Sequence, residues 1–402
     1  MNNKIRFLAM VVLSIGMVFL YKCRKDDEMQ PASSNNSGII NPGDDNIKGK
    51  YIVIFKDDAF PDFKGILDYE QRRALMFDAV KKYLINKNIP GIFPERVYHT
   101  VMKGFAARLN VMQFEMLQKN PEISFIEEDK IISLEPLIIS SIDIPRAQTK
   151  PYGITRVGTG NGTGKTAWII DTGIQLTHPD LNVDVPNSKS FLLSGTNSRS
   201  PNDENGHGTH VSGTIAAKNN TVGVIGVAAN AKVAAVRVLD KNGSGTVSGV
   251  INGVDYVASK GKSGDAANMS LGGAVSASLD TAVARASRKG IFFAIAAGNS
   301  SANANNYSPA RVNGKNIYTV SAMDNNDRWA SFSNYGNPPV DFCAPGVNIL
   351  STWIGGKYMT ISGTSMAAPH AAGVLLLTNG HPNTNGTVKN DPDGNPDPVV
   401  HL

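Results

Sequence analysis

Two cysteines in 402 residues, Cys23 and Cys343, cannot supply a disulfide framework, so the fold must be held by its core and by other ties such as metal ions. Charge is also scarce. Only 18% of residues are Asp, Glu, Lys or Arg, and the net excess is five positive charges. No basic block or basic-aromatic interleaving follows a phosphate backbone, which excludes nucleic acid as the natural partner. Long apolar runs are missing too: the one from Phe7 to Tyr21 is short for a bilayer span. The phosphate-cradle pattern fails in register at "GNGTGKT", because Thr159 stands where its first glycine belongs. Those glycines precede an apolar, partly β-branched run, "TAWII", and read as a linker ahead of a buried strand.

What remains is a globular composition, 41% hydrophobic, long enough for two or three domains. Lys4 and Arg6 ahead of the run at 7–21 have the form of an export signal, predicting a secreted, periplasmic or outer-surface protein. Cys23, followed by a polar tether over 24–47, resembles a bacterial lipoprotein start, although Lys22 departs from the usual small residue. A lipid anchor at Cys23, ordinary cleavage of 1–23 and an uncleaved anchor all remain open. Cys343 in "VDFCAPG" reads as a small buried hydrophobe.

Residues 48–134 alternate strand-like and helical patterns in the order β-α-β-β-α-β, with "KGKYIVIF" the first strand, helical spacing over 66–86 and a second helix at 111–120. This predicts a small α+β, ferredoxin-like domain. From 147 to 402, runs such as "KVAAVRVL", "AANMSL", "IFFAIAA" and "IYTVSA" recur between helical patterns. They predict an α/β domain with a doubly wound parallel sheet. Ligands of such sheets lie beyond the carboxyl ends of the strands, where Asp171, Ser270 and Asn299 fall.

Three segments carry the chemistry: "IIDTGIQLTHPDL" with Asp171, "NGHGTHVSGT" with His207 and "SGTSMAAPHAAG" with Ser365. A serine hydroxyl is a weak nucleophile and needs an imidazole to take its proton. A carboxylate at a strand end can hold that imidazole's tautomer. The three motifs, in this order, strongly resemble the subtilisin-like serine proteases, and "NYSPA", "SFSNYG" and "STWIGG" look like the proteinase K branch. The order Asp, His, Ser along the chain is that of the same family.

The resemblance implies catalytic roles for Asp171, His207 and Ser365, a side-chain oxyanion donor in Asn299, and structural roles for His210 and His370. It places substrate main chain between Ser244, Gly245 and Thr246 on one side and Ser270, Leu271, Gly272 and Gly273 on the other, with room for a bulky apolar residue before the cut. It implies a structural Ca²⁺ held by side chains of Gln148, Asp180 and Asn220 and carbonyls of Lys218, Val222 and Val224, and a second cation at Asp341. No organic cofactor is implied. It makes 48–134 a propeptide that templates folding and inhibits the site, with cleavage near Arg146-Ala147, and the partners protein or peptide substrates of a monomer. Two departures stand out: the short helix between the mature start and Asp171 is expected to be missing, and the tail "NGTVKNDPDGNPDPVVHL" to lack the family's last helix and strands.

Overall fold

The computed structural model describes residues 49–63, 65, 68–134, 138–143, 147–195 and 197–402. The expected signal, tether and lipid-anchor cysteine, residues 1–47, lie outside the described residues.

The N-terminal unit comprises β1 (Lys50–Phe55), α1 (Tyr69–Asn86), β2 (Arg96–Tyr98), β3 (Gly104–Arg108), α2 (Val111–Gln118) and β4 (Ile123–Glu128). Its antiparallel sheet runs β2-β3-β1-β4. The apolar run in β1 is continuous because both faces are covered. Val53 and Phe55 meet Met76, Val80, Phe105 and Leu117 on one face, while Ile52 and Ile54 join the core of the following unit. Helix α1 starts one turn later than its periodicity predicts, at Asp68, whose carboxylate accepts the Glu70 N–H. After β4 come two further strands, β5 (Ile131–Ser133) and β6 (Ile138–Asp143), which pair with the large unit.

The large unit carries α3 (Tyr152–Val157), β7 (Thr166–Asp171), α4 (His207–Ala216), β8 (Lys232–Arg237), β9 (Ser244–Thr246), α5 (Val247–Lys260), β10 (Ala266–Met269), α6 (Ala277–Ser287), β11 (Phe292–Ala296), β12 (Ile317–Met323) and β13 (Val340–Pro345). Then come β14 (Ile349–Trp353), β15 (Lys357–Ser362), α7 (Thr364–Thr378), β16 (Asn383–Thr387) and β17 (Pro398–His401). Strands β8-β7-β10-β11-β12-β13-β17 lie side by side and parallel, with β16 antiparallel at the end. Alternation sorts the two faces. Ala167 and Ile169 of β7 pack under α4 and α7, and Trp168 and Ile170 under α5 and α6. Because β8 and β10 flank β7 on opposite sides, the winding reverses at β7, and the crevice at its carboxyl end is where Asp171 stands.

Two expectations are corrected. A helix does precede Asp171, over Tyr152–Val157; its six residues sit directly after Pro151, which fixes the entry, and Gly158 ends it with a positive φ. The tail also folds: Val399 of β17 pairs with Cys343 of β13, and Val388, Val399 and Cys343 form a small buried cluster. Its apolar residues are too few and too far apart to signal strands before their partner is known. Cys343 is buried, as its composition context predicts.

Candidate active site

Asp171 closes β7 with both carboxylate oxygens on one imidazole nitrogen: His207 Nδ1 lies 2.8 Å from Oδ1 and 2.9 Å from Oδ2, and both side chains are buried. The approach is close because Gly208 follows the histidine. A Cβ there would stand 2.2 Å from the Gly173 carbonyl and 3.1 Å from Asp171 Oδ1. Asp203 fixes the start of α4, accepting the Gly206 and Thr209 N–H groups and the Thr172 and Thr209 hydroxyls. Sequence reasoning missed Asp203; the signal was an acidic residue four positions before His207 at a helix start. The other imidazole nitrogen, Nε2, is buried with no hydrogen-bond partner among the described residues.

Ser365 stands in the first turn of α7, where backbone N–H groups lack intrahelical acceptors. Its hydroxyl donates to the Ser270 carbonyl at 3.2 Å rather than to His207. Pro369, within the helix, has no N–H for the Ser365 carbonyl, and the Ser270 hydroxyl donates to that carbonyl instead, at 2.8 Å. Asn268 in turn donates to the Ser270 hydroxyl. The strand-end segment 268–270 and the serine helix are thereby tied together, a role for Asn268 that no motif announced. Asn299 accepts the N–H and hydroxyl of Thr364 through Oδ1, each at 2.8 Å. This fixes the carboxamide with its NH₂ toward Gly363 and the cavity beside Ser365.

That cavity, of about 130 Å³, is lined by Ser270, Leu271, Gly272, Gly273, Ala296, Ala297, Gly298, Asn299 and Ser365, together with Ser133 and Leu134 from the segment of β5. Small residues, among them Gly272, Gly273, Ala296, Ala297 and Gly298, make up much of its walls. β5 lies antiparallel to β9, with Ser133 opposite Ser244, Ile132 opposite Gly245 and Ile131 opposite Thr246. On its other side it meets Gly273, whose absent Cβ would be 3.4 Å from Ile132. Of the seven residues expected to bind substrate main chain, Ser270, Leu271, Gly272 and Gly273 line the cavity, and Ser244, Gly245 and Thr246 pair with β5 beside it.

The residues expected around Ca²⁺ also converge. Gln148 Nε2 donates to the Lys218 carbonyl at 2.8 Å and faces Asn220 Oδ1 at 3.4 Å and the Val224 carbonyl at 3.5 Å. An amide N–H₂ thus sits among three acceptor oxygens, and half a turn of that amide would replace it with a fourth. Asp180 completes the set: it accepts the Asn220 amide and the Val224 N–H, and burial raises its pKa. The donor chemistry fits a hard cation. Val222 contributes an N–H to Asn220 Oδ1. Asp341 lies in β13, accepts the Thr319 N–H, and has its pKa pushed up to about 6 by burial. Among the described residues, no three His, Cys, Asp or Glu side chains gather to hold a metal.

His210 and His370 are fully buried. His210 Nε2 lies 3.0 Å from the Ile349 and Met359 carbonyls, and burial lowers its pKa to about 3. His370 Nδ1 faces the Met366 carbonyl, and burial lowers its pKa to about 4.

A doubly wound sheet with a carboxylate-held histidine at its switch point, beside a helix-borne serine, defines an α/β serine hydrolase site. Residues 162–390 match the model of the subtilase family and 50–135 that of the peptidase inhibitor I9 family. An alkaline serine protease (ver112) of Corniculantispora psalliotae is 40% identical over 345 residues, covering 82% of this chain and 79% of that protein. The cuticle-degrading protease of Metarhizium anisopliae is 40% identical over 338 residues, with the same coverage of each. A solved cold-adapted subtilisin-like serine proteinase is 39% identical with a TM-score of 0.55, covering 62% of this chain and 97% of its own. The chain belongs to the subtilase family of serine proteases and carries an inhibitor-type propeptide ahead of the protease unit.

Proposed function

We propose that Asp171, His207 and Ser365 act as the triad of an exported endopeptidase made as a self-processing zymogen, with Asn299 as an oxyanion donor. The supporting observation is the His207 imidazole, held at Nδ1 by both Asp171 oxygens while its buried Nε2 has no hydrogen-bond partner among the described residues. The reaction begins when the Ser365 hydroxyl turns from the Ser270 carbonyl to His207 Nε2. His207 takes the proton as Oγ attacks the scissile carbonyl carbon, then gives it to the departing amide nitrogen. The Asn299 NH₂ and the Ser365 backbone N–H stabilise the oxyanion. Water then hydrolyses the acyl-enzyme by the same steps.

Specificity follows from main-chain pairing along Ser244–Thr246 and Gly272–Gly273, which is tolerant of sequence, and from the small-walled cavity, which favours bulky apolar side chains before the cut. Ca²⁺ held by Asp180, Gln148, Asn220 and the carbonyls of Lys218, Val222 and Val224 would clamp segment 147–150 to the 218–225 loop; it supplies rigidity and takes no part in bond making. Export, with or without a lipid on Cys23, is read from the N-terminal sequence alone, and a mass shift in Cys23→Ser distinguishes the two. Among the described residues no helix is long and apolar enough to cross a membrane.

Labelling of the processed protein by a fluorophosphonate, abolished in Ser365→Ala, tests the triad. The rival reading, a protease-like binding protein without turnover, requires that the intact chain take no label. Chromogenic peptides with Phe or Leu before the cut should outpace those with Asp or Arg; the reverse order rejects the specificity reading.

A further inference from the structure

We infer that Leu192, Leu193 and Val238 form a further substrate subsite, an apolar pocket for the side chain of the residue that lies opposite Thr246, upstream of the cut. The inference rests on the proteolytic reading above and adds a side-chain preference to a stretch of cleft that otherwise binds main chain.

β5 shows what the pocket takes. It lies antiparallel along β9, with Ile131 opposite Thr246 and Ile132 opposite Gly245. Side chains alternate along a strand, so Ile132 turns inward, into the core that holds Leu271 and Val247, and Ile131 turns the other way. There it borders a second cavity, of about 220 Å³, whose walls on the protease side include Leu192, Leu193 and Val238 as well as β9 itself. The propeptide adds Lys50 and Arg96 to the same cavity, and these leave with it. What stays behind is more apolar than what the propeptide meets.

Two observations favour an apolar occupant. Leu193 is 53% exposed even with the propeptide in place. A lone exposed leucine is ordinary, but this one borders a cavity that a side chain of the paired strand also borders. Asp240, the acidic residue on the cavity wall, is turned back on its own loop, where its Oδ1 accepts the Asn242 N–H at 2.8 Å and the Ser244 N–H at 3.0 Å.

The loop that carries the leucines is held from the protease side. The Phe191 N–H donates to the Arg237 carbonyl at 2.8 Å, and the buried Arg237 guanidinium donates to the carbonyls of Ser200 and Asn202 at 3.1 and 2.8 Å and to the Glu204 carboxylate at 2.7 Å. One tie, from Arg96 to the Phe191 carbonyl, goes with the propeptide. The walls therefore remain in the processed enzyme. Covering one aliphatic side chain in such a pocket is an effect of about five- to tenfold on kcat/KM. Leu134, three residues after Ile131, lines the cavity beside Ser365, so a substrate residue in the new pocket stands fourth or fifth before the cut.

Chromogenic peptides sharing one residue before the cut, with Gly at each of the third to sixth upstream positions replaced in turn by Leu, test this on the processed enzyme, its active sites counted by fluorophosphonate labelling. At the fourth or fifth position Leu should raise kcat/KM about five- to tenfold over Gly. Leu193→Ala should cut that gain to less than about twofold, while Leu193→Met, which keeps the volume and the apolar surface, retains it. Gains at the other positions should be alike in the three proteins. If no position loses its gain in Leu193→Ala, the inference is overturned and the protease reading stands. A protein that takes no label and cuts no peptide overturns both.

Discussion

Asp129 of the propeptide and Ser248 of α5 are joined twice, the carboxylate accepting the Ser248 N–H at 2.9 Å and its hydroxyl at 2.6 Å. Glu127 does the same at α6, accepting the Ser278 N–H at 2.8 Å and hydroxyl at 2.7 Å. The propeptide therefore places carboxylates at the starts of both helices that cover one face of the large sheet. There they satisfy orphan N–H groups and meet the positive ends of the helix dipoles.

Removing either carboxylate should weaken inhibition. Each makes two hydrogen bonds that the released propeptide would otherwise make to water, a net of about 1–2 kcal/mol. Asp129→Ala or Glu127→Ala in the free propeptide should raise its inhibition constant against the processed protease roughly tenfold. Unchanged inhibition by both variants would show that β5 in the cleft carries the affinity by itself.

Much of this arrangement was legible in the sequence because it rests on local chemistry. Asp171, His207 and Ser365 sit in short motifs whose glycines answer close approaches, as Gly208 does against Gly173. The parallel strands announce themselves as apolar runs because they are covered on both faces. What the sequence hid depends on partners remote in the chain. Asp129 and Glu127 look like an ordinary acidic turn until α5 and α6 are set against them. Strand β17 is four residues whose only pattern is "PVVH", and it becomes a strand because β13 offers it an edge. Helix α3 has no side-chain N-cap and too few residues to show a period. The parking of the Ser365 hydroxyl on Ser270 is a rotamer choice that no composition reveals.

Asn299 has two jobs that substitution can separate. Its Oδ1 holds Thr364, and its NH₂ faces the cavity. Asn299→Asp keeps both acceptor contacts and loses the donor. Its kcat should fall by about 10²–10³ with KM little changed, as for loss of one oxyanion donor. Asn299→Ala should lose the same activity and also stability, since the buried Thr364 groups are left unpaired. A kcat for Asn299→Asp within about threefold of the parent would remove Asn299 from the oxyanion role.

Calcium should stabilise the processed protein by mass action. At a free concentration of about 100 times Kd the gain is about 2.7 kcal/mol, a few degrees in Tm for a unit of this size. EDTA should reverse it, and Gln148→Ala should reduce the calcium response, because it removes the side chain now standing among the Lys218, Asn220 and Val224 oxygens. A Tm indifferent to EDTA would end the assignment.

The acid limb of stability should reveal buried groups with opposite signs. His210 and His370 are held neutral by burial, with pKa values lowered to about 3 and about 4 from 6.5. Their contribution is present above pH 6.5 and is lost as pH falls toward those values, since the unfolded chain takes up the protons first. Asp397 runs the other way. Burial raises its pKa from 3.8 to about 6, so its contribution is present below pH 3.8 and is lost as pH rises through 6. Asn at this position can still accept the Ser321 hydroxyl that Asp397 accepts, while carrying no charge. Asp397→Asn should therefore stabilise the protein at pH 8 by about 2–3 kcal/mol, with the advantage shrinking to nothing near pH 4. Denaturant midpoints of the two proteins measured from pH 4 to pH 8 read this directly. Parallel curves would mean that Asp397 does not titrate differently in the folded and unfolded chain.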